Sequence, residues 1–172
     1  VVVAPEQVLL TASTSEAYGY LLKLLCDPGD AVLVPRPAYP LLPLLARLEH
    51  VEVQTYPLLR DAFWRIDIGA ARRALSGGRV RAVLLVHPGN PTGMFTHRDD
   101  AAALLQLCHE HGVALVVDEV FADYAHAPLA DDRLPSFVGA SGASCFVLSG
   151  LSKVALLPQL KLSWMVVSPE AA

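Results

Sequence analysis

At 172 residues, with 53% hydrophobic and only 17% charged side chains, the chain has the length of one ordinary domain and ample material for a sizeable core. Its formal net charge of −4, without any Lys/Arg block, offers no electrostatic footprint for nucleic acid or anionic lipid. No run reaches the ~20 apolar residues of a membrane span, and the opening VVVAPEQVLL lacks the basic and cleavage segments of a signal peptide.

In chain order, short apolar and β-branched runs alternate with helical patterns. A strand is predicted at 8–11, then a helix at 16–25 closed by the turn DPGD. A strand at 31–34 precedes a helix at 41–48, and a strand at 51–56 precedes a polar stretch, 61–67, that reads as a surface loop. The helix at 68–75 ends on Gly77 and Gly78 and leads to a strand at 80–87. The helix at 97–111 is the best specified, with Thr96 as N-cap, Asp99 and Asp100 in its first turn, an apolar face through Ala101, Leu104, Leu105 and Cys108, and Gly112 as terminator. Strands at 113–117, 145–148 and 162–167 follow, with a proline-containing surface loop at 125–136. This alternation predicts an α/β domain with a largely parallel sheet.

The odd cysteine count, with Cys26, Cys108 and Cys145 widely separated in apolar sequence, predicts buried thiols in a reducing compartment, hence a cytoplasmic protein. Cys108, His109 and His111 are too close in sequence to share a helix face, so no metal site is expected there. The chain opens on Val and stops just after a strand, so it reads as a fragment of a longer chain.

Parallel α/β sheets bind ligands beyond the carboxyl ends of their strands, and five stretches put chemically able residues in such places. Ser13, Thr14 and Ser15 stand where a strand turns into a helix; hydroxyls and free N–H groups there can hold a phosphate, or simply cap the helix ahead of Glu16. Neither GxGxxG nor GxxxxGK[ST] occurs, which removes the main support for dinucleotide and P-loop readings. Tyr39, stiffened by the prolines of PAYP, suits stacking on a planar cofactor and equally suits a packed turn. Asn90 in HPGNPTG can donate to a phenolic oxygen of a ligand, or shape a turn before Pro91.

Asp118 follows the apolar run 113–117, and a buried acid there needs a cationic partner or neutralisation. A protonated pyridine nitrogen would serve; the plain alternative is a helix N-cap. Lys153 lies in a stretch of small and apolar residues, where partial desolvation would favour a neutral amine able to attack an aldehyde, the alternative being a surface lysine. One cofactor, pyridoxal 5'-phosphate, accounts for all five stretches together.

Read in order, TASTSEA, PAYP, HPGNPTG, DEVFADY and SGLSK resemble the large, cofactor-binding domain of the class I/II aminotransferases, fold-type I pyridoxal-phosphate enzymes, over nearly the whole chain. The resemblance implies a three-layer α/β/α domain with a mostly parallel sheet, residues 1–172 forming that domain without the family's amino-terminal arm and carboxy-terminal small domain. It implies Lys153 as Schiff-base lysine and proton shuttle, Asp118 on the pyridine nitrogen, Asn90 on the ring hydroxyl, Tyr39 on the ring, and Ser13, Thr14 and Ser15 around the phosphate.

Three positions depart from the common pattern. Phe121 stands where many members carry a tyrosine that hydrogen-bonds the ring oxygen. Gly150 replaces a frequent phosphate-binding serine, with Ser149 or Ser152 as substitutes. Lys161 takes the place of the usual phosphate-binding arginine, keeping its charge without the bidentate fork. LPQLKLSW with DEVFADY is similar to a bacterial alanine-type subgroup.

Exchange of an amino group between an amino acid and a 2-oxo acid is the implied reaction, with a homodimer as the full-length assembly and the isolated fragment inactive. Two alternatives stay open. A pyridoxal-phosphate lyase would use the same fold and cofactor, and a cofactor-sensing domain of a transcription regulator would follow a helix-turn-helix segment upstream of Val1.

Overall fold

Strands that are apolar on both faces must be covered twice, and that requirement sets the layering. The computed structural model describes residues 2–171 and contains eight strands: β1 (Val8–Thr11), β2 (Ala31–Arg36), β3 (Glu52–Arg60), β4 (Trp64–Ile66), β5 (Val80–Val86), β6 (Ala114–Asp118), β7 (Cys145–Gly150) and β8 (Ser163–Val167). They form one sheet in the order β1-β8-β7-β6-β5-β2-β3-β4. Neighbours from β3 through β7 pair in parallel, whereas β8 is antiparallel to both β7 and β1, and β4 is antiparallel to β3. The carboxyl ends of β1, β2, β5, β6 and β7 therefore share one edge with the amino end of β8.

Among the described residues five α-helices flank the sheet: α1 (Thr14–Leu25), α2 (Leu42–Leu48), α3 (Ile68–Leu75), α4 (Arg98–His111) and the single turn α5 (Leu151–Val154). On one face α1 and α2 bury Ala17, Tyr18, Leu21, Leu22, Leu42 and Ala46 against Val34, Leu84, Val116 and Leu148. On the other, α3 and α4 bury Ala71, Leu75, Leu104 and Leu107 against Leu33, Val83, Leu115 and Val147. Alternate residues of each strand feed opposite cores, as the period of two requires. The fold is the expected three-layer α/β/α domain with a mostly parallel sheet.

Four local expectations are corrected. Residues 61–67 are not simply a loop: Trp64–Ile66 fold back on Leu58–Arg60 as a hairpin. Its anchor is distant in sequence. The Asp100 carboxylate accepts from Arg65 Nε at 2.8 Å, from an Arg65 terminal nitrogen at 2.6 Å and from the Ile66 N–H at 3.0 Å. Asp100 is thus a buried tether from α4 to β4 as well as a first-turn acid.

The α4 N-cap is His97, without a side-chain cap bond. Thr96 is instead buried beside His87. Its N–H donates to His87 Nδ1 at 3.3 Å, and the opposite ring nitrogen, Nε2, donates to the Leu134 carbonyl at 3.0 Å. Burial pushes the His87 imidazole down to about 4, against the pull of the Leu134 and Pro135 carbonyls, so the ring stays neutral and clips the 88–96 loop to residue 134. Cys26, the C-cap of α1, is only half-buried, whereas Cys108 and Cys145 are buried. Lys153 belongs to the turn α5 and is exposed.

Burial alone would push the Asp100 carboxyl up; the Arg65 fork and the Ile66 N–H outweigh it and hold the group below the usual carboxylate range. The stability this confers is present above the unfolded value of about 4 and is lost as pH falls through the lower folded value. Asp100→Ala is expected to cost about 2 kcal/mol at neutral pH, a figure reduced for the half-exposed Arg65 partner. Urea unfolding followed by tryptophan fluorescence measures it, and an unchanged midpoint would show that the hairpin needs no tether.

Candidate active site

The polar groups that the two cores cannot accept collect at the carboxyl edge of the sheet. There a cavity of about 410 Å³ is lined by Ser13, Thr14, Ser15, Tyr18, Tyr39, Val86, Asn90, Asp118, Val120, Phe121, Gly150, Ser152, Lys153, Pro158 and Ser163. That volume is in the range of small-molecule sites. Ser13, Thr14, Ser15, Tyr39, Asn90, Asp118, Ser152 and Lys153 come from five separate stretches of chain and meet in this one space.

Each arrives for a local reason. Ser13 is the α1 N-cap, its Oγ accepting from the Glu16 N–H at 3.1 Å while Glu16 reaches back to the Ala12 N–H at 2.7 Å. The capping reading of Ser13 is therefore correct, and it coexists with the first-turn N–H groups of Thr14 and Ser15, which have no intrahelical acceptor. Tyr39 lies in the loop that joins β2 to α2 and is half-buried. Asn90 stands in a closed turn in which the Gly93 N–H donates to the Gly89 carbonyl at 2.6 Å and the Gly89 N–H to the Met94 carbonyl at 2.9 Å. A larger open groove of about 730 Å³ lies beyond Asn90 and Phe121, walled by Arg60, Trp64 and Arg133, and holds none of the other expected residues.

Asp118 closes β6 at 3% exposure, with its Oδ1 accepting the Val120 N–H at 3.1 Å. Burial pushes its carboxyl up to about 6, while Val120 and the Tyr18 hydroxyl pull it down. Tyr18 is one residue that sequence reasoning passed over. It projects from the buried face of α1 beside Asp118, close enough to interact electrostatically, yet its Oη lacks a well-aligned hydrogen-bond partner. An aromatic three residues after Ser15, on the helix face with Leu21 and Leu22, was the available signal.

The Lys153 ammonium lies 5.9 Å from the centroid of the Phe121 ring, at the limit of a cation–π contact. The Lys153 backbone carbonyl accepts from Tyr124 Oη at 2.7 Å, which fastens α5 to the segment after β6. Phe121 itself meets Tyr124 edge to face with centroids 5.5 Å apart.

Two expected residues lie elsewhere. Ser149 alternates to the opposite face of β7 and lines a separate recess with Glu119, Ser136 and Trp164. Its neighbour Gly150 is the residue on the cavity side, a consequence of the strand period of two. Lys161 is exposed, in a left-handed backbone conformation at φ 49°, and does not line the cavity. No group of three or more potential metal ligands occurs among the described residues, and no described helix is long and apolar enough to cross a membrane.

The residues present suit pyridoxal phosphate: a buried carboxylate made costly by desolvation calls for a cation, and a lysine, a half-buried aromatic, an amide and a hydroxyl-rich helix start surround the same space. Over residues 1–172 the chain matches the aminotransferase class I and II family, and it belongs to that family. It is 30% identical over 169 residues to a histidinol-phosphate aminotransferase of Aliivibrio fischeri, covering 98% of this chain and 46% of that protein. Alanine aminotransferase 1 of Mus musculus is 37% identical over 132 residues, covering 72% of this chain and 26% of its own length. The structure of an alanine aminotransferase from Pyrococcus furiosus superposes with a TM-score of 0.86 at 26% identity, covering 97% of this chain and 42% of that one. The chain thus spans less than half the length of these relatives.

Glu119, next to Asp118 but facing the other side, accepts the Phe137 N–H at 2.6 Å and the Ser136 hydroxyl at 2.7 Å. Burial pushes its carboxyl up to about 7 despite those two donors. A raised folded value means that the native state holds the proton longer, so stability falls as pH rises from about 4.5 to about 7. His87 acts in the opposite sense and Asp118 in the same sense over part of that window, and both are carried equally by variant and wild type, so the difference between the two proteins reports Glu119. Glu119→Gln, which can still bond both partners, is expected to remove a loss on the order of 2–3 kcal/mol across that window. Parallel pH profiles of the two proteins in urea would refute this.

Proposed function

We propose that residues 1–172 form the cofactor-binding large domain of a pyridoxal-phosphate-dependent aminotransferase, exchanging an amino group between an amino acid and a 2-oxo acid. The observation that carries the reading is the convergence of a buried carboxylate, Asp118, and a lysine, Lys153, on one cavity with the Ser13, Thr14 and Ser15 turn. The family assignment supports it.

Bound there, pyridoxal phosphate would supply an aldehyde that exchanges amines and a protonated ring that draws electrons from a substrate α-carbon. Lys153 Nζ would be the amine that holds the cofactor and, when free, would move the proton at the substrate α-carbon. Asp118 would hold positive charge on the ring nitrogen, the cationic partner that its burial calls for. Asn90 would donate to the ring oxygen, with Phe121 contributing packing and no hydrogen bond. Tyr39 would stack on the ring. The Thr14 and Ser15 N–H groups and the hydroxyls of Ser13, Thr14, Ser15 and Ser152 would receive the phosphate.

Free thiols at Cys26, Cys108 and Cys145 support a reducing compartment, the cytoplasm. A homodimer of the full-length protein is what the family resemblance implies, and sedimentation of that protein tests it.

Borohydride reduction of the full-length protein with pyridoxal phosphate, followed by peptide mapping, is expected to place the adduct on Lys153. Lys153→Ala should abolish the adduct and lower turnover by at least about a thousandfold. An adduct at another lysine, or full turnover in the variant, would overturn the assignment. Release of ammonia instead of transfer to a 2-oxo acid would replace transamination with the lyase reaction.

A further inference from the structure

The cavity contains a hydroxyl, Ser163, for which the sequence reading had no role. Ser163 opens β8 and is 3% exposed. It pairs across the sheet with Thr11 on one side and with Gly150 on the other. Those two strands run directly into the two hydroxyl-bearing turns of the site, Thr11 into Ser13, Thr14 and Ser15, and Gly150 into Ser152 and Lys153. Ser163 therefore stands in the row of residues immediately beneath both turns, on the same sheet face as Met165 and Val167, which pack against the α1 side.

Gly150 is what gives the hydroxyl its place. A Cβ built on Gly150 would collide with Ser163 Oγ and lie 2.8 Å from Ser163 Cβ and 3.0 Å from its Cα. The volume that a side chain at 150 would fill is thus occupied by the Ser163 hydroxymethyl group, entering from the neighbouring strand. Gly150 has an extended backbone with φ of −180°, which any residue adopts, so the constraint at 150 is the space taken by Ser163 and not backbone conformation. With Lys161 outside the cavity lining and Ser149 on the opposite sheet face, hydroxyls and backbone N–H groups accompany Lys153 at this end of the site.

We propose that Ser163 is a phosphate-binding residue of the cofactor site, its hydroxyl supplying from β8 the hydrogen bond that a side chain at position 150 cannot. Gly150 and Ser163 form a matched pair in which only one position can carry a side chain. The inference rests on the cofactor reading above. It makes the site selective for the phosphorylated cofactor through a residue outside both turns.

The test is equilibrium binding to the full-length protein, freed of cofactor, of pyridoxal phosphate and of pyridoxal, which lacks the phosphate. Ser163→Ala keeps the packing and removes the hydroxyl; it is expected to weaken pyridoxal phosphate binding about tenfold, as loss of a hydrogen bond to a charged group does. Pyridoxal affinity should stay within about twofold. Gly150→Ser alone should lower the thermal midpoint through the clash, whereas Gly150→Ser combined with Ser163→Gly should regain both the midpoint and wild-type selectivity for the phosphate.

Equal loss of both ligands in Ser163→Ala, or no loss of either, would overturn the assignment while wild-type binding left the cofactor reading standing. A double variant that refolds to the wild-type midpoint without regaining selectivity would likewise sink it. A wild-type protein that binds neither ligand overturns the cofactor reading and this inference with it.

Discussion

A parallel strand covered on both faces can present a charged side chain at its end but not along its length, because every interior position feeds one apolar core or the other. β6 obeys this constraint: Ala114, Leu115, Val116 and Val117 are divided between the two cores, and the first acids are Asp118 and Glu119. The remainder of the site follows from that placement. Asp118 is still inside the protein when the strand ends, so its carboxyl is pushed up and made receptive to a cation. The same period of two that turns Asp118 toward the cavity turns Glu119 away, into a separate bond to Ser136 and Phe137.

Rigidity around the cavity comes from groups that do not line it. The neutral His87 ring sits edge-on between Phe95 and Phe137 at centroid distances of 5.3 and 5.2 Å, and joins the start of the Asn90 loop to Leu134. Tyr124 fastens α5 through the Lys153 carbonyl, so the backbone of the proposed reactive lysine is held while its side chain stays accessible. Such support from beneath is what fixes reacting groups within the tolerance that catalysis demands.

The departures from the family pattern become intelligible as packing. Gly150 is not simply a lost serine, since Ser163 already occupies the space that its side chain would need. Phe121 forgoes a hydroxyl but packs edge to face on Tyr124, whose own hydroxyl is used on α5. Lys161 is exposed in a left-handed conformation outside the cavity lining, leaving the end of the cavity beside the α1 start to hydroxyls and backbone N–H groups.

The sequence by itself determined the alternation of strands and helices and the strand-end position of Ser13, Thr14, Ser15, Tyr39, Asn90, Asp118 and Lys153, because hydrophobic period and terminating residues are local properties of the chain. Only the tertiary structure decided which neighbours share a face or a space. The β4 hairpin depends on Asp100 from another helix, and Thr96 gives up the cap because His87 takes it into the core. Ser149 loses the site to Gly150 by strand alternation, while Tyr18 and Ser163 enter it because α1 and β8 pack beside β6 and β7. The period of two sorts Ser149 from Gly150 locally, but which face meets the cavity, and which distant residue shares its space, is set by packing across the sheet.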